Sequence, residues 1–413
     1  MKPIELDGRT GEGGGQLVRL AVGLAALTAQ PVTITNVRGN RQGGRGGGLK
    51  SQHVTSIAWL AAVTDAQTTG LAVGSRTLTF MPRRTPLQPA QDGGKRQYSI
   101  SADSDAASAL LVLQAIFPYI LFAGTDGDEP LELDISGGTN VAWSLSYEYF
   151  DQVLMPTLEE RFGVRVEREL RQRGWSLGPK SRGGLWLRVH PTPRGQKLQY
   201  VQPPAYTYPD SFGVTRVDAS IIVPRWAHET VQDDLARDIN TLFPDTDVHF
   251  KVVEDSGDDA RWSVLLVARS KAGIRWAKDV LWSMPKKAKS RHVLVSQLSR
   301  TLCKRLYEEV ELGGTVDEHL QDQVVLLQAL AEGASSFPRH DDGYGADQQP
   351  VSGVTEDIAS LSINAGMRKE KTHEPFGHGS THTQTARWVV SELLPRAEFY
   401  NKGDVVRGVG FSL

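Results

Sequence analysis

The sequence has little cysteine, little net charge and no long apolar run, and each absence excludes a class of protein. Cys303 is the only cysteine among 413 residues, so the chain can form neither an internal disulfide nor a thiolate metal centre. The formal net charge is −2, so any site for a polyanion must be a local basic cluster. No apolar stretch reaches the roughly 18 residues that span a membrane, and the start MKPIELDGRT has no apolar signal region. We therefore expect no membrane partner and an intracellular, soluble protein of the nucleus or cytoplasm.

Hydrophobic periodicity predicts the same order of elements twice. Strands are indicated by KPIELD, VTITNV, LAVGS and RTLTF, and helical spacing by residues 17–27 and 49–63. The order then recurs, with strands at 96–102, 131–137, 164–170 and 184–190 and helices at 106–122 and 147–162. This pattern predicts an α/β fold of repeated β-α-β-α-β-β units, with helices on one face of each sheet.

Changes in composition predict three parts along the chain. Residues 1–191 hold the first two repeats of a core domain. Residues 192–290 open with a Pro-rich linker and read as an inserted small α/β domain, with three strands and a helix near 228–241. Residues 291–413 complete the core with helices around 292–310, 317–331 and 382–394 and the final strand VVRGVGF. Within them, 338–380 is a polar, Gly-rich insertion that we expect to be partly disordered.

The stretch TGEGGGQLVR combines a glycine run with a carboxylate and the start of a helix. Glycines let the backbone approach a ligand closely, and a helix N-terminus favours an anion. Glu12 would repel a phosphate unless a cation lay between them, and Mg²⁺ binds carboxylates and substrate phosphates together. The alternative is a plain Gly-rich turn with a solvent-exposed Glu12.

Basic residues cluster in the loop VRGNRQGGRGGGLKSQH. Arg38, Arg41 and Arg45 lie among glycines, and Gln52 and His53 begin the following helix. Arginines on a thin loop before a helix N-terminus are typical of a phosphate clamp. The alternative is a solvated basic loop or a general RNA tether.

Two histidines precede the helix in GHGSTHTQTARWVVSELL. Imidazole is largely neutral at pH 7 and can act as a nucleophile toward phosphorus, which makes His378 and His382 candidates. The alternative for each of them is a structural or merely exposed histidine.

Together these segments resemble the RNA 3′-terminal phosphate cyclase family. The matching motifs follow the family's order over nearly the whole chain. They are DGRTGEGGGQLVR, VRGNR with LKSQH, ALLVLQAIFP, SGGTNV, DEHLQDQVVLLQALAEG and STHTQTA. The resemblance implies three related repeats with a small inserted domain, and the activity of converting an RNA 3′-terminal phosphate to a 2′,3′-cyclic phosphate. It also implies ATP as co-substrate and a covalent histidine–AMP intermediate.

The resemblance implies a role for residues that match the family's motifs. His382 matches the nucleophile in the segment S-x-H-x-x-T, and His378 falls outside that match. Glu12 matches the ligand of a Mg²⁺ or Mn²⁺ ion. The substrate and phosphate side is matched by Arg19, Arg38, Arg41, Gln52 and His53, and the nucleotide side by Gln114, His319, Asp322 and Gln323.

The chain also departs from the family's pattern. His319 stands where a tyrosine is common, and Ala142, Leu145 and Ser146 replace prolines that usually follow GGTN. The loop 41–48 is longer and richer in glycine than usual.

Two rival functions use related folds. A catalytically inactive relative acting in ribosome assembly would lose the GEGGGQ glutamate and the histidine, and this chain keeps both. A small-molecule enolpyruvyl transferase would need basic carboxylate clamps, which the sequence does not identify. The basic run PKKAKSR is read as a solvated domain boundary, with a nuclear signal or an RNA contact as alternatives.

Overall fold

A computed structural model describes most of the chain. The described residues are 2–41, 46–86, 95–105, 107–124, 129–203, 206, 210–288, 290–339 and 367–413. Arg45 and most of the predicted polar insertion at 338–380 lie outside these ranges, so the expected disorder of that insertion stays a prediction.

The first repeat is a four-stranded sheet with two helices. Strands β1 and β2 are parallel, and the other neighbours in the order β1-β2-β4-β3 are antiparallel. The elements are β1 Ile4–Asp7, α1 Gly15–Thr28, β2 Val32–Thr35, α2 Ser51–Thr64, β3 Gln67–Thr69 and β4 Leu78–Met81.

The second repeat has the same connectivity. Its order β5-β6-β8-β7 again joins one parallel pair to two antiparallel pairs. The elements are β5 Gln97–Ser101, α3 Ala109–Leu121, β6 Leu131–Gly137, α4 Tyr147–Tyr149, a π-helical turn Phe150–Leu154, α5 Met155–Phe162, β7 Arg165–Gln172 and β8 Gly183–His190. Two sheets of identical strand order confirm the predicted α/β repeats.

The small α/β unit has its own sheet and its own apolar core. Its strand order is β10-β9-β11-β12, and helices α6 and α7 pack on it. The elements are β9 Val214–Val223, a 3₁₀ turn Arg225–Ala227, α6 His228–Leu242, β10 Asp247–Asp255, β11 Trp262–Ser270, β12 Arg275–Trp282 and α7 Arg291–Glu311. Because α7 shares this core, its packing favours a boundary after α7 rather than at residue 290. The division of the chain into domains itself stays a prediction.

The C-terminal part returns to the main core. Its described strands form a three-stranded antiparallel sheet in the order β13-β15-β14. The elements are α8 Glu318–Leu330, β13 Ala334–Ser336, α9 Thr381–Leu393, β14 Glu398–Tyr400, a 3₁₀ turn Asn401–Gly403 and β15 Val405–Arg407. No helix in the described ranges is long and apolar enough to cross a membrane.

Some predicted strands were wrong or incomplete. LAVGS is a turn region in which Val73 is 63% exposed, and β3 lies before it. Gly70 and Gly74, with φ of +78° and +85°, take backbone conformations that favour a turn over a strand. The final strand stops at Arg407, and β12, β13 and β14 were not predicted. Short strands carry too few alternating positions to stand out from loops.

Helix packing at the centre of the molecule brings the helix termini together. Helix α1 packs against α2, α3 and α9, and α9 packs against α8. The approach of α1 to α3 is close at Gly23, where an added Cβ would lie 2.6 Å from the carbonyl oxygen of Ala115. The backbones of these two helices are therefore nearer than any side chain at this position allows.

We predict that Gly23→Ala destabilises the protein although alanine is the better helix former. The methyl group would push α1 away from α3, and overpacking of this kind costs about 1–3 kcal/mol. Thermal or urea unfolding should show a lower midpoint. Gly184→Ala is the matched control, because its nearest neighbour would be the Cβ of Arg171 at 3.9 Å. Equal midpoints for both variants would contradict the close contact.

Candidate active site

A cavity of about 590 Å³ opens where α1, α3, α8 and α9 meet. Its inner walls are apolar, with Leu113, Phe117 and Leu326 among them. Its polar residues include seven that were singled out in the sequence: Arg19, Arg41, Gln114, His319, Asp322, Gln323 and His382. The cavity therefore offers apolar walls for a flat ring system and a charged edge for phosphates.

His382 lies in the first turn of α9. Ser380 is the N-cap of this helix, and its hydroxyl accepts a hydrogen bond from the Thr383 backbone N–H at 3.3 Å. The helix N-terminus carries a partial positive charge, which favours an anionic phosphate beside His382. The side chain of His382 is 48% exposed, so a ligand can reach the ring from the cavity.

Gln16 fixes which ring nitrogen of His382 carries the proton. The side-chain amide nitrogen of Gln16 donates to Asp322 Oδ2 at 2.5 Å, so its oxygen faces His382 Nδ1 at 3.3 Å. An acceptor at this place requires Nδ1 to be the donor, and Nε2 then keeps its lone pair. Nε2 lies 3.9 Å from Glu12 Oε1. The ring nitrogen that keeps a lone pair is therefore Nε2.

Burial lowers the pKa of His382 below its usual range. The charges of Arg19 and Arg41 act in the same direction, and the carboxylate of Asp322 opposes them. The ring is therefore neutral at pH 7, the state that a nucleophile needs.

A chain of hydrogen bonds links this histidine to Arg19. Beyond Gln16, Asp322 Oδ1 accepts from the Gln323 side-chain amide at 2.8 Å. Gln114 donates to Gln323 Oε1 at 2.8 Å, and Arg19 Nε donates to Gln114 Oε1 at 2.5 Å. Burial raises the pKa of Asp322. Residues from α1, α3, α8 and α9 thus share one polar network at the edge of the cavity.

Arg19 and His53 converge on the first residue of α1. A Cβ added at Gly15 would lie 2.7 Å from His53 Nε2 and 2.8 Å from Arg19 Nη1. His53 Nδ1 accepts from the Lys50 backbone N–H at 3.0 Å, so Nε2 carries the proton. That N–H is buried and has no hydrogen-bond partner in the structure. A side chain at residue 15 would collide with both groups, so glycine lets the two donors lie directly against the start of α1.

Burial shifts the pKa values of both groups downward. It lowers the pKa of Arg19 to about 10, which leaves the guanidinium charged at neutral pH. It lowers the pKa of His53 well below its usual range, and the nearby charges of Arg19, Arg38 and Lys50 add to this effect. At pH 7 the pair therefore presents one positive charge and one neutral N–H donor.

Glu12 is an acidic residue beside His382. Its side chain is 7% exposed and pairs with Arg41, and its backbone N–H donates to Thr385 Oγ1 at 2.8 Å. The second carboxylate oxygen, Oε2, is buried and has no hydrogen-bond partner among the described residues. In the described part of the chain, no group of three His, Cys, Asp or Glu residues could hold a metal. Glu12 therefore fits a divalent ion only as one ligand beside phosphate and water oxygens.

Two of the predicted site residues, Arg38 and Gln52, are not among the residues that line the cavity. Arg38 donates to the carbonyls of Gly46 and Gly48 at 3.5 and 3.3 Å, and burial lowers its pKa. Gln52 is half-buried in the first turn of α2, and none of the described contacts brings its side chain to His382. Their predicted roles toward substrate stay predictions.

Three residues at the site were not among the predicted ones. Gln16 directly follows the glycine run, and its position within the motif DGRTGEGGGQLVR was the available signal. Asp279 reaches the cavity from β12, a strand that the sequence did not predict, and burial raises its pKa. Trp143 stands at the cavity in the segment that lacks the family's prolines.

The fold and the cavity define an α/β repeat protein with a histidine, a buried carboxylate and arginines at one site. The model of the RNA 3′-terminal phosphate cyclase family matches residues 10–397. Among curated proteins of that name, one from Methanopyrus kandleri is 30% identical over 342 residues, 82% of this chain and 88% of that protein. One from Nitrosospira multiformis is 32% identical over 335 residues, 81% of this chain and 85% of that protein.

The chain belongs to the RNA 3′-terminal phosphate cyclase family. This confirms the resemblance and the enzyme class that the motifs indicated. The family acts on RNA 3′-phosphate ends with ATP.

We predict that His53 makes the stability of the protein fall in acid. Because its pKa is lowered in the folded state, the unfolded chain binds the proton more readily. Stability is then fully present above pH 6.5 and is lost below it, by about 1.4 kcal/mol per pH unit, until the folded-state pKa is reached. Urea unfolding between pH 5 and 7.5 should show a smaller slope for His53→Asn, which can still accept from Lys50.

His373→Asn is the control, since that histidine is 68% exposed and should leave the slope unchanged. A His53→Asn variant with the wild-type slope would contradict a neutral, buried His53.

Proposed function

We propose that the chain converts an RNA 3′-terminal phosphate to a 2′,3′-cyclic phosphate through a covalent AMP on His382. The observation that supports this most is the orientation of the imidazole. The side-chain oxygen of Gln16 accepts a hydrogen bond from the protonated Nδ1, which leaves the Nε2 lone pair available beside Glu12. A neutral nitrogen nucleophile and the guanidinium of Arg19 then both line one largely apolar cavity.

In the first step, Nε2 of His382 attacks the α-phosphorus of ATP. A P–N bond forms, the bond to the β-phosphate oxygen breaks, and pyrophosphate leaves with that electron pair. Arg19, the N–H of His53 and the N-terminus of α1 are placed to take up phosphate charge. The carbonyl of Gln16 stabilises the positive charge that the ring gains on forming the bond.

In the second step, an oxygen of the RNA 3′-phosphate attacks the same phosphorus. The P–N bond breaks, and the electron pair returns to Nε2, so the histidine leaves neutral. The RNA then carries the adenylate. In the third step its 2′-hydroxyl oxygen attacks the terminal phosphorus, loses its proton and displaces AMP to close the cyclic phosphate. We assign the grip on the RNA phosphate to Arg41, which lines the cavity, and to Arg38 on the same Gly-rich loop.

A Mg²⁺ or Mn²⁺ ion would be held by Glu12, whose buried Oε2 has no hydrogen-bond partner. Such an ion offsets negative charge on the triphosphate. Arg41 occupies the other side of this carboxylate, so the guanidinium and an ion would share it.

The nucleotide side is assigned to Gln114, His319, Asp322 and Gln323. The rings of His319 and Tyr149 meet edge to face, with centroids 6.1 Å apart at the cavity wall. The rival role of an inactive assembly factor is not favoured, because it gives no reason for an aligned histidine and a buried carboxylate to be retained together.

We predict that His382→Ala abolishes covalent labelling by α-labelled ATP. Purified protein, ATP and a divalent ion are incubated, and acid-labile label on the protein is measured. His378→Ala is the matched control, since His378 falls outside the S-x-H-x-x-T segment and is not among the residues that line the cavity. Label that persists in His382→Ala would show that another residue is the nucleophile.

We also predict that Gln16→Leu slows the adenylylation step more than it weakens ATP binding. Leucine keeps the volume but cannot accept from Nδ1, so both tautomers of His382 become populated and Asp322 loses a donor. Losing a buried partner costs about 1–3 kcal/mol, or roughly 5- to 150-fold in rate. Single-turnover labelling gives the rate and its ATP dependence gives the affinity. A variant with wild-type rate would refute the role of Gln16.

A further inference from the structure

Trp143 is a large apolar side chain that the fold leaves in solvent. Its side chain is 89% exposed, and the residue stands at the mouth of the cavity. Its φ is +65°, a left-handed conformation that is a rare outlier for a bulky residue. Such conformations persist where the surroundings hold them, and they concentrate at sites that bind or react.

The backbone on both sides of the ring is anchored. The Ala142 N–H donates to Ser176 Oγ at 3.2 Å, and the hydroxyls of Ser144 and Ser108 are 2.6 Å apart. These contacts hold the segment in place while the indole projects from it. The fold therefore presents the ring to solvent. The exposed ring buries little apolar surface that could offset the strained backbone conformation.

One residue connects this ring to the reacting centre. The Arg41 guanidinium lies 5.9 Å from the Trp143 ring centroid, and it also pairs with Glu12. Glu12 in turn lies 3.9 Å from His382 Nε2. The indole is thus separated from the nucleophile's surroundings by a single cationic side chain.

We propose that Trp143 is the stacking platform for the 3′-terminal base of the RNA. This inference rests on the proposed function, because it needs the RNA 3′-phosphate to be brought to His382. A terminal nucleotide carries its base and its 3′-phosphate on one ribose. With the phosphate gripped by Arg41, the base of that nucleotide reaches the ring over which Arg41 already lies.

Two bases could stack on Trp143, the terminal base of the RNA and the adenine of ATP, and the exposure of the ring favours the RNA base. Leu113, Phe117 and Leu326 enclose the inner cavity and suit a base that is shut away from water. A polynucleotide end instead needs an open platform, because the preceding nucleotides continue outward into solvent. Stacking on an aromatic face accepts any base, so the platform favours unpaired ends with little dependence on sequence.

The test compares the two half-reactions in Trp143→Ala. We expect the KM for a short single-stranded RNA 3′-phosphate to rise roughly 5- to 150-fold, the range for one base stacked on an aromatic side chain. The KM for ATP in histidine–AMP formation should stay unchanged, and Trp143→Phe should restore part of the RNA affinity. Trp226→Ala is the matched control. This tryptophan is 39% exposed on the small unit and should leave both constants unchanged.

A second substrate isolates the contact with the base. The wild-type protein should prefer the normal RNA over the same RNA whose terminal ribose lacks its base, and Trp143→Ala should lose that preference. A variant that keeps the preference, or one whose KM for ATP rises instead, overturns the inference. The latter result would assign the ring to adenine.

Failure of the proposed function gives a different result. If the wild-type protein forms no histidine–AMP, the two RNAs are compared by direct binding, using fluorescence-labelled oligonucleotides. A base-dependent affinity that disappears in Trp143→Ala would still support the platform. Equal binding of both RNAs by wild type would overturn it independently of any catalytic step.

Discussion

The buried amide of Gln16 is the interaction on which the geometry of the site depends. Its nitrogen donates to Asp322 on α8 and its oxygen accepts from His382 on α9, while its backbone belongs to α1. Gln16 is 1% exposed, so losing either partner would leave a polar group buried without compensation. The two hydrogen bonds therefore require three helices to meet at one position. The close packing of α1 on α3 at Gly23 adds a fourth helix to this arrangement.

The charged side chains of the site are held by partners of two kinds, an opposite charge and a neutral amide. Arg41 neutralises Glu12, and Arg19 is held by the neutral amide of Gln114 rather than by a carboxylate. The positive charge of Arg19 is therefore not cancelled by a directly bonded carboxylate. Burial disfavours this charge, which is why the pKa of Arg19 is lowered. His53 adds a donor without a second charge. The site therefore carries a local positive charge although the whole chain is close to neutral.

The sequence predicts the repeats well because each unit contains strands and helices long enough to show their periodicity. It predicts most site residues through motifs whose residue types suit phosphate chemistry. The bridge made by Gln16 could not be predicted, since its partners are 306 and 366 positions away and meet it only through helix packing. Asp279 was missed for a related reason, because β12 is recognisable only once it pairs with β11. Local pattern thus identifies the chemical groups, and tertiary packing decides which of them touch.

The small unit takes part in positioning the site rather than merely being attached to it. Asp317 caps α8 by accepting the backbone N–H groups of His319 and Leu320, each at 2.9 Å. The same carboxylate accepts from the Ala277 N–H of β12 at 2.9 Å and from the Tyr149 hydroxyl at 2.6 Å. The start of α8, a helix that lines the cavity with His319, Asp322 and Gln323, is therefore tied directly to a strand of the small sheet. A displacement of that sheet would move the cap, and with it the helix that presents Asp322 to Gln16.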